Sequence, residues 1–558
     1  MEDLFKDKLI ILYGEEKGKE VGERLKNIIN EAKSKIICEN RSMWDEKDIF
    51  LITYADSFQE ANARSLITLK KFLDFCLKDV IDNVHILPFY PYSSDRGFSI
   101  TDYYQVKKEF GSWNDIEEIG KHYRLMADLV LNHVSVKHEW FQKFLAGDPK
   151  YENYFIWFKK EEIPYEALKK VYRPRETPLL TPFKTAKGEK WIWTTFSVEN
   201  FSDQVDLNYK NPEVLLEIVK IILFLLQKGI RIFRFDSIPF IWKEIGSDCK
   251  NLAKTHTIVC LFRNFIDLVC PTAMIIAQSS VSFKENVSYF GSEDKEAHLI
   301  YNFALPVLVL NAFYNQSNHH LNEMVSQMVN KAEDCSYFNI LAVHDGIGVN
   351  GAKDFLSESE FNNLYNEIEK RAGKLSYRNL PDGSKTVVEL NITWWSAINN
   401  PSSSFSTNES FELELSKFIT SLAILFALKG LPALYYLSLF GQENDLDLFE
   451  KTGIKRDINR TNLNLKSLDF RLKKSSSKEA RIFDAIVNLI KIRKSLKVFH
   501  PNARQEVLSL DERVFTLLRG EKEKQILALH NISDDKVEIK YAGRIFNLEP
   551  YSFIWQEL

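Results

Sequence analysis

The chain has 558 residues, enough for a large core and, at roughly 150 residues per domain, for two to four domains, fewer if an α/β barrel is present. With 45% hydrophobic residues, 27% charged residues and a net charge of −4, it has the composition of an ordinary globular protein. No global positive field draws it to nucleic acid or an anionic membrane, so a small-molecule partner is expected.

Its six cysteines, Cys38, Cys76, Cys249, Cys260, Cys270 and Cys335, are irregularly spaced with no CxxC pair, which argues against a zinc motif and a disulfide framework. The first 20 residues mix acids and bases and lack the apolar core of a secretory signal. The nearest approach to a membrane span, IVKIILFLLQKGIRIF, is interrupted by Lys220 and Lys228. A cytoplasmic location is expected.

In chain order, residues 1–45 read as a helical extension, because VGERLKNIINEAKSKII places Leu25, Ile28, Ile29 and Ala32 on one face. Eight short apolar, β-branched runs then alternate with longer helical ones: 48–55, 83–89, 125–133, 230–237, 273–279, 298–303, 337–345 and 431–438. That alternation predicts a parallel sheet with crossover helices, and eight runs favour closure as a (β/α)8 TIM barrel over 46–497. Two gaps exceed one helix: an aromatic-rich insert at 134–206 and a polar, Ser/Asn-rich one at 346–415. Both follow strand ends, where barrel active sites lie, and are expected to act as lids. From 498 to 558 the segments VFTLLR, QILALHNIS, KVEIKY and YSFIWQ predict a C-terminal antiparallel β domain.

Three strand ends carry polar groups that are costly to bury and usually serve chemistry when they are. These are Arg234 and Asp236 in RIFRFDS, Gln278 in AMIIAQS, and His344 and Asp345 in AVHDG. Glycoside chemistry needs a carboxylate to attack the anomeric carbon, a second group to protonate the leaving oxygen, and charge to stabilise an oxocarbenium-like transition state. Asp236 suits the nucleophile, since Arg234 two residues earlier shares its face and would keep it ionised. Asp345 suits the stabilising carboxylate. Asp128, Asn132, His133 and Asp95 would complete a polar floor for one hexose ring. Taken singly, Asp345 before Gly is an ordinary turn signal and RFDS an ordinary buried ion pair. It is their order along successive barrel strands that points to a site.

In the order ADLVLNH, RIFRFDS, IIAQS, AVHDG the chain resembles the signature regions of the α-amylase superfamily, glycoside hydrolase family 13. The segments HILPFYPYSSDRGFSITDYYQV, YRPR, IWKEIGSDC, KENVSYFG, HDGIGV and KTGIKRDINR are similar to its sucrose phosphorylase branch. LYGEEKGKEV, NLPDGSKTVVELNITWWSA and LYYLSLFGQENDLDL are most similar to the longer members, the glucosylglycerate phosphorylases. The resemblance implies a retaining α-glucoside phosphorylase with Asp236 as nucleophile, Asp345 as transition-state stabiliser and Gln278 at the acid/base position. It places Asp95, His133, Arg234, His344 and Arg456 around the glucosyl unit and Arg175 on phosphate. No metal or organic cofactor is implied; the partners are an α-glucoside and inorganic phosphate, and a homodimer is left open.

The chain departs from the family pattern at Gln278 for Glu, Ser237 for Ala, Phe240 for Tyr, Arg96 for an acid, and Ser280, Ser282 and Phe283 around the acid position. An introduced acid-to-amide exchange would account for Gln278 alone. A hydrolase or transglucosidase of the same fold, and a diverged sugar-binding member that has lost its acid, stand as alternatives.

Overall fold

A computed structural model of the chain describes residues 2–196, 202–329, 332–380, 383–399, 408–521 and 523–558. Residues 197–201 of the first predicted lid, and 381–382 with the Ser/Asn-rich 400–407 of the second, lie outside the described residues.

Eight parallel strands form a closed barrel: β1 (Phe50–Thr53), β2 (Asn83–Ile86), β3 (Arg124–Val130), β4 (Ile230–Asp236), β5 (Met274–Ala277), β6 (Leu299–Asn302), β7 (Ser336–Ile340) and β8 (Leu431–Tyr435). Each pairs with the next, and β8 closes on β1 with Ala433 opposite Phe50. All eight fall on the apolar runs, and all are buried along their length, as expected of strands covered by helices outside and packed side chains inside. Several runs overshoot their strands. β7 stops at Ile340, and Leu341, Ala342 and Val343 continue as buried irregular chain before Val343 bridges Gly346 at φ +94°. Apolarity there reports burial, and the turn at Gly346 ends the ladder.

The near-continuous apolar run before β4 resolves into the helix Pro212–Gln227 and the strand, separated by Gly229 at φ +88°. Asn211 caps this helix through its side chain, Pro212 sits at the first turn, and 11 of its residues are buried. No helix among the described residues is long and apolar enough to cross a membrane.

The N-terminal extension is a pair of helices, Glu2–Tyr13 and Glu15–Lys33, turned at Gly14 (φ +83°). The first was not anticipated. They cross where Gly18 meets the Leu9 backbone, so closely that a Cβ would stand 2.8 Å from the Leu9 carbonyl oxygen. The buried stripe is Val21, Leu25 and Ile29, with Ile28 and Ala32 only partly covered. Arg24 fixes the pair to the barrel through a two-point ion pair with Glu213 at 2.5 and 2.6 Å.

The first insert folds into the antiparallel ladder His133–Ser135 with Gln204–Asp206 and a three-stranded sheet of Trp157–Phe158, Gly188–Trp193 and Leu180–Thr185. The second contributes the helix Glu358–Lys370 and a sheet in which Lys385–Asn391 is central, between Ile347–Gly348 and Lys374–Asn379. At the C-terminus, Gln505–Asp511, Val514–Glu521, Lys524–Asn531 and Phe553–Glu557 form an antiparallel sheet, accompanied by the hairpin Val537–Tyr541 and Arg544–Leu548. Buried Arg519 docks this sheet by donating to the Ala427 carbonyl at 2.6 Å, at the C-terminal end of the helix Asn408–Ala427, where Arg493 of the helix Lys478–Ser495 donates to the Phe426 carbonyl at 3.0 Å. Helix carbonyls at that end lack intrahelical partners and favour positive charge.

Candidate active site

Strand register assembles the floor of the site. On β4, Arg234 and Asp236 point to the same face, and pairing with β3 sets Arg234 beside Asp128. One guanidinium nitrogen, Nη1, bonds Asp128 Oδ1 and lies 2.8 Å from Asp236 Oδ1. His85, from β2, stands 2.7 Å from the other oxygen of Asp128. Asp128 is wholly buried beneath this chain of contacts, and neither it, Asn132 nor Arg234 borders the cavity. Asp128 and Asn132, expected to line the sugar space, stand one layer behind it: Asp128 is held by Arg234 and His85, and Asn132 by Asp206 and Lys243 beside the lining residue His133. Arg234 reaches that space only through Asp236.

Burial pushes the Asp236 carboxyl up to about 6, and Arg234, shared with Asp128, only partly offsets it. Arg234 was expected to keep Asp236 ionised; the loss of solvent outweighs its share of that cation and raises the pKa, and the carboxylate still predominates at neutral pH. After Asp236 the chain turns at Ser237, which adopts left-handed backbone (φ 53°, ψ 33°), uncommon and strained for a residue with a side chain. Its N–H donates to Gln278 Oε1 at 2.8 Å, so the amide carbonyl, not the NH2 group, faces β4.

Opposite stands Asp345. Burial raises its pKa, but the guanidiniums of Arg456, Arg460, Arg234 and Arg175 outweigh that and hold it below the ordinary carboxylate value. Arg456 Nη1 is 2.8 Å from Asp345 Oδ1 and 3.8 Å from Asp95 Oδ1. Its remaining nitrogens grip Glu389 of the second insert, Nη2 to Oε1 at 2.5 Å and Nε to Oε2 at 3.1 Å. Arg175 approaches the same carboxylate from the first insert at 3.4 Å and lies over Phe196. His344 stacks on Phe98 at 4.9 Å; burial and the adjacent arginines drive its pKa well below the usual range, and burial takes His133 down to about 4. Both imidazoles are neutral at pH 7.

The cavity so formed spans about 740 Å³ of open space, the solvent at its mouth included. It brings together Asp95, His133, Arg175, Asp236, Gln278, His344, Asp345 and Arg456, all expected from the sequence except in their spatial relation. Glu389 was missed: a single acid within the apolar strand TVVELN carries no local signal. Two buried acids that position the walls were missed as well. Asp203 accepts from the hydroxyls of Ser93, Ser94 and Ser99 at 2.5, 2.5 and 2.7 Å and so holds the loop bearing Asp95. Asp206 pairs with Lys243 at 2.7 Å and accepts from Asn132 at 3.0 Å, steadying the ladder that presents His133. The run YSSD and the lysine of IWKE were the available hints. Among the departures from the family pattern, Arg96 turns away from the cavity, donating to the Arg460 carbonyl at 2.7 Å and to Asn462 at 3.0 Å. Phe240 packs edge-on to Phe196 at the rim.

Residues 52–347 match the family model of the α-amylase catalytic domain. The chain is 40% identical over 564 residues to glucosylglycerate phosphorylase of Spirochaeta thermophila, spanning 100% of this chain and 93% of that protein. It is 39% identical over 520 residues to glucosylglycerate phosphorylase of Allomeiothermus silvanus, spanning 92% and 91%. The crystal structure of sucrose 6F-phosphate phosphorylase from Thermoanaerobacter thermosaccharolyticum superposes with a TM-score of 0.77 at 25% identity, covering 92% of this chain and 100% of that one.

Proposed function

We propose a function from one premise: the chain belongs to the α-amylase family, glycoside hydrolase family 13, in its sucrose phosphorylase branch. It is a retaining phosphorylase that converts an α-glucoside and inorganic phosphate to α-glucose 1-phosphate, with glucosylglycerate the favoured donor and sucrose the comparator. Asp236 attacks the anomeric carbon, the glycosidic C–O bond breaks, the departing oxygen takes a proton from water because Gln278 has none to give, and a β-linked glucosyl ester forms on the carboxylate. Phosphate then attacks from the vacated face, restoring Asp236 and the α configuration. Asp345 stabilises the oxocarbenium-like charge, while Asp95, His133, His344 and Arg456 hold the glucosyl unit. Arg234 acts through Asp236. Arg175 receives the phosphate, for which its planar donors suit.

The observation that carries this reading is that Asp236 and Arg175 open into one cavity, a nucleophile at the floor and a guanidinium from a lid at the mouth. Incubation with glucosylglycerate or sucrose, with and without phosphate, tests it: α-glucose 1-phosphate forms only when phosphate is present. Phosphate-independent release of glucose would assign the chain to hydrolysis instead.

A second reading rests on Gln278. Its amide accepts the Ser237 N–H and has no acidic proton for a departing alkoxide, so cleavage of glucosides is slow and sugar binding outlasts turnover. Phosphate, already anionic and a good leaving group, needs little of that help. Calorimetry with glucosylglycerate alongside turnover by Gln278→Glu separates the two: tight binding with no restored turnover favours a binding protein.

A further inference from the structure

The helix His319–Ser326 opens with two consecutive histidines and carries Glu323 one turn further on, a cluster the glucosyl chemistry does not use. His320 and Glu323 are three apart and His319 and Glu323 four apart, the spacings that bring helical side chains together. The three residues offer donor atoms that all lie within 4.8 Å of one another, and the two imidazoles meet edge to face at 4.9 Å.

The two nitrogens of His320 differ sharply. Nε2 stands 2.6 Å from Glu360 Oε1 on the helix Glu358–Lys370. Nδ1 is buried without a hydrogen-bond partner and lies 3.9 Å from Glu323 Oε2. A proton donated from Nε2 to Glu360 leaves Nδ1 with a free lone pair facing Glu323, the carboxylate–histidine arrangement that orients a metal ligand. Glu360 is itself fixed by the capping box it makes with Ser357.

We propose that His319, His320 and Glu323 form a zinc-binding site, with Glu360 as the positioning partner of His320. Two imidazoles and one carboxylate suit Zn²⁺, whereas Mg²⁺ and Ca²⁺ prefer oxygen ligands throughout. Zinc bonds of ~2.1 Å place tetrahedral donors about 3.4 Å apart, so closure asks for a small rotation of His319 and Glu323, both exposed side chains. His319, Asn322 and Glu323 border a cavity together with Asp511 and Glu512 of the C-terminal region, where water or the Glu512 carboxylate could supply the fourth ligand. Helix-dipole charge at this N-terminal end opposes a cation; the carboxylates of Glu323 and Glu360 answer it.

The site lies at a seam. Asn318, just before the helix, donates from its backbone to the Glu512 carbonyl and from its side chain to the Asp511 carbonyl, each at 2.8 Å. A bound zinc ion therefore staples a barrel helix to the lid helix through Glu360 and stiffens the junction with the C-terminal sheet.

Equilibrium dialysis of chelator-treated full-length protein against zinc chloride, with metal measured by atomic emission, tests this. One zinc ion per chain is expected at low-micromolar free zinc, with affinity reduced roughly tenfold or more in His320→Gln, Glu323→Gln and Glu360→Gln, and no competition from Mg²⁺ or Ca²⁺. Zinc should also raise the thermal midpoint of the parent chain but not that of Glu323→Gln, whose exposed side chain leaves the metal-free midpoint unchanged. Absence of retained zinc, or zinc held by His319→Gln, His320→Gln and Glu323→Gln as tightly as by the parent chain, overturns the proposal.

Discussion

Glu389 grips Arg456 at two points, Oε1 to Nη2 at 2.5 Å and Oε2 to Nε at 3.1 Å, while the third guanidinium nitrogen of Arg456 stands 2.8 Å from Asp345. One residue of the second lid thus fixes the arginine that orients a carboxylate at the barrel mouth. Arg175, 3.4 Å from the same Glu389 oxygen, brings the first lid into the arrangement. An incoming anion must share these arginines with Glu389, and Glu389→Gln should therefore lower KM for phosphate several-fold. The freed Arg456 should hold Asp345 less well, reducing kcat on a glucoside by roughly tenfold or more. Unchanged values of both would reduce Glu389 to a lid contact.

Asp236→Ala and Asp236→Asn should abolish glucosyl transfer from every donor, α-glucosyl fluoride included, because in the proposed mechanism Asp236 forms the covalent ester while Asp345, on the same cavity, is tied to Arg456. Appreciable release of fluoride by Asp236→Ala would sink the assignment.

Arg175→Ala should raise KM for phosphate far more than KM for the glucoside, since the side chain stands at the cavity mouth and not at its floor. Steady-state kinetics varying each substrate in turn makes the distinction. Equal effects on both would indicate a packing role against Phe196.

Gln278→Glu should speed cleavage of a glucoside with an alkoxide leaving group by ~10²- to 10⁴-fold, the usual worth of general acid/base help. Exchange of labelled phosphate into α-glucose 1-phosphate should stay within about tenfold of the parent. If both half-reactions are dead in the parent chain and recover together, the division of labour is wrong; if neither recovers, the chain binds sugar without turning it over.

Burial raises the Asp236 carboxyl to about 6, and the proposed nucleophile must be ionised to attack. Activity on α-glucosyl fluoride, whose leaving group needs no proton, should accordingly fall as pH drops through about 6. His133, taken down to about 4, and His344, lower still than its usual range, are already neutral there and add no limb in that window. The same shift has a cost to the fold. A carboxylate with a raised folded pKa loses stability as pH rises from its ordinary value to about 6, because the native state holds the proton more tightly than the unfolded chain. An acid limb near 4 in the pH profile of kcat/KM would contradict the burial of Asp236.

The strand runs, the order of their polar tips and the alternating C-terminal segments were all legible in the sequence, because each is written within a few residues. Apolar alternation reports the burial of a strand, and a charge at its end reports the cost of placing it there. Arg234 and Asp236, two apart on one strand, share a face in any fold that makes β4 a strand. Asp128 and Glu389 show the limit. That Asp128 sits under the floor follows from the register of β3 on β4, which sets it beside Arg234 from 106 residues away. That Glu389 holds Arg456 depends on a hairpin folding over the mouth to meet a residue 67 positions later. The sequence alone determined which residues could do glucosyl chemistry and on which strands they ride. Only the tertiary structure decided which of them meet the substrate space and how their charges are paired, because an ion pair is set by three-dimensional distance and desolvation, and neither is a property of local sequence.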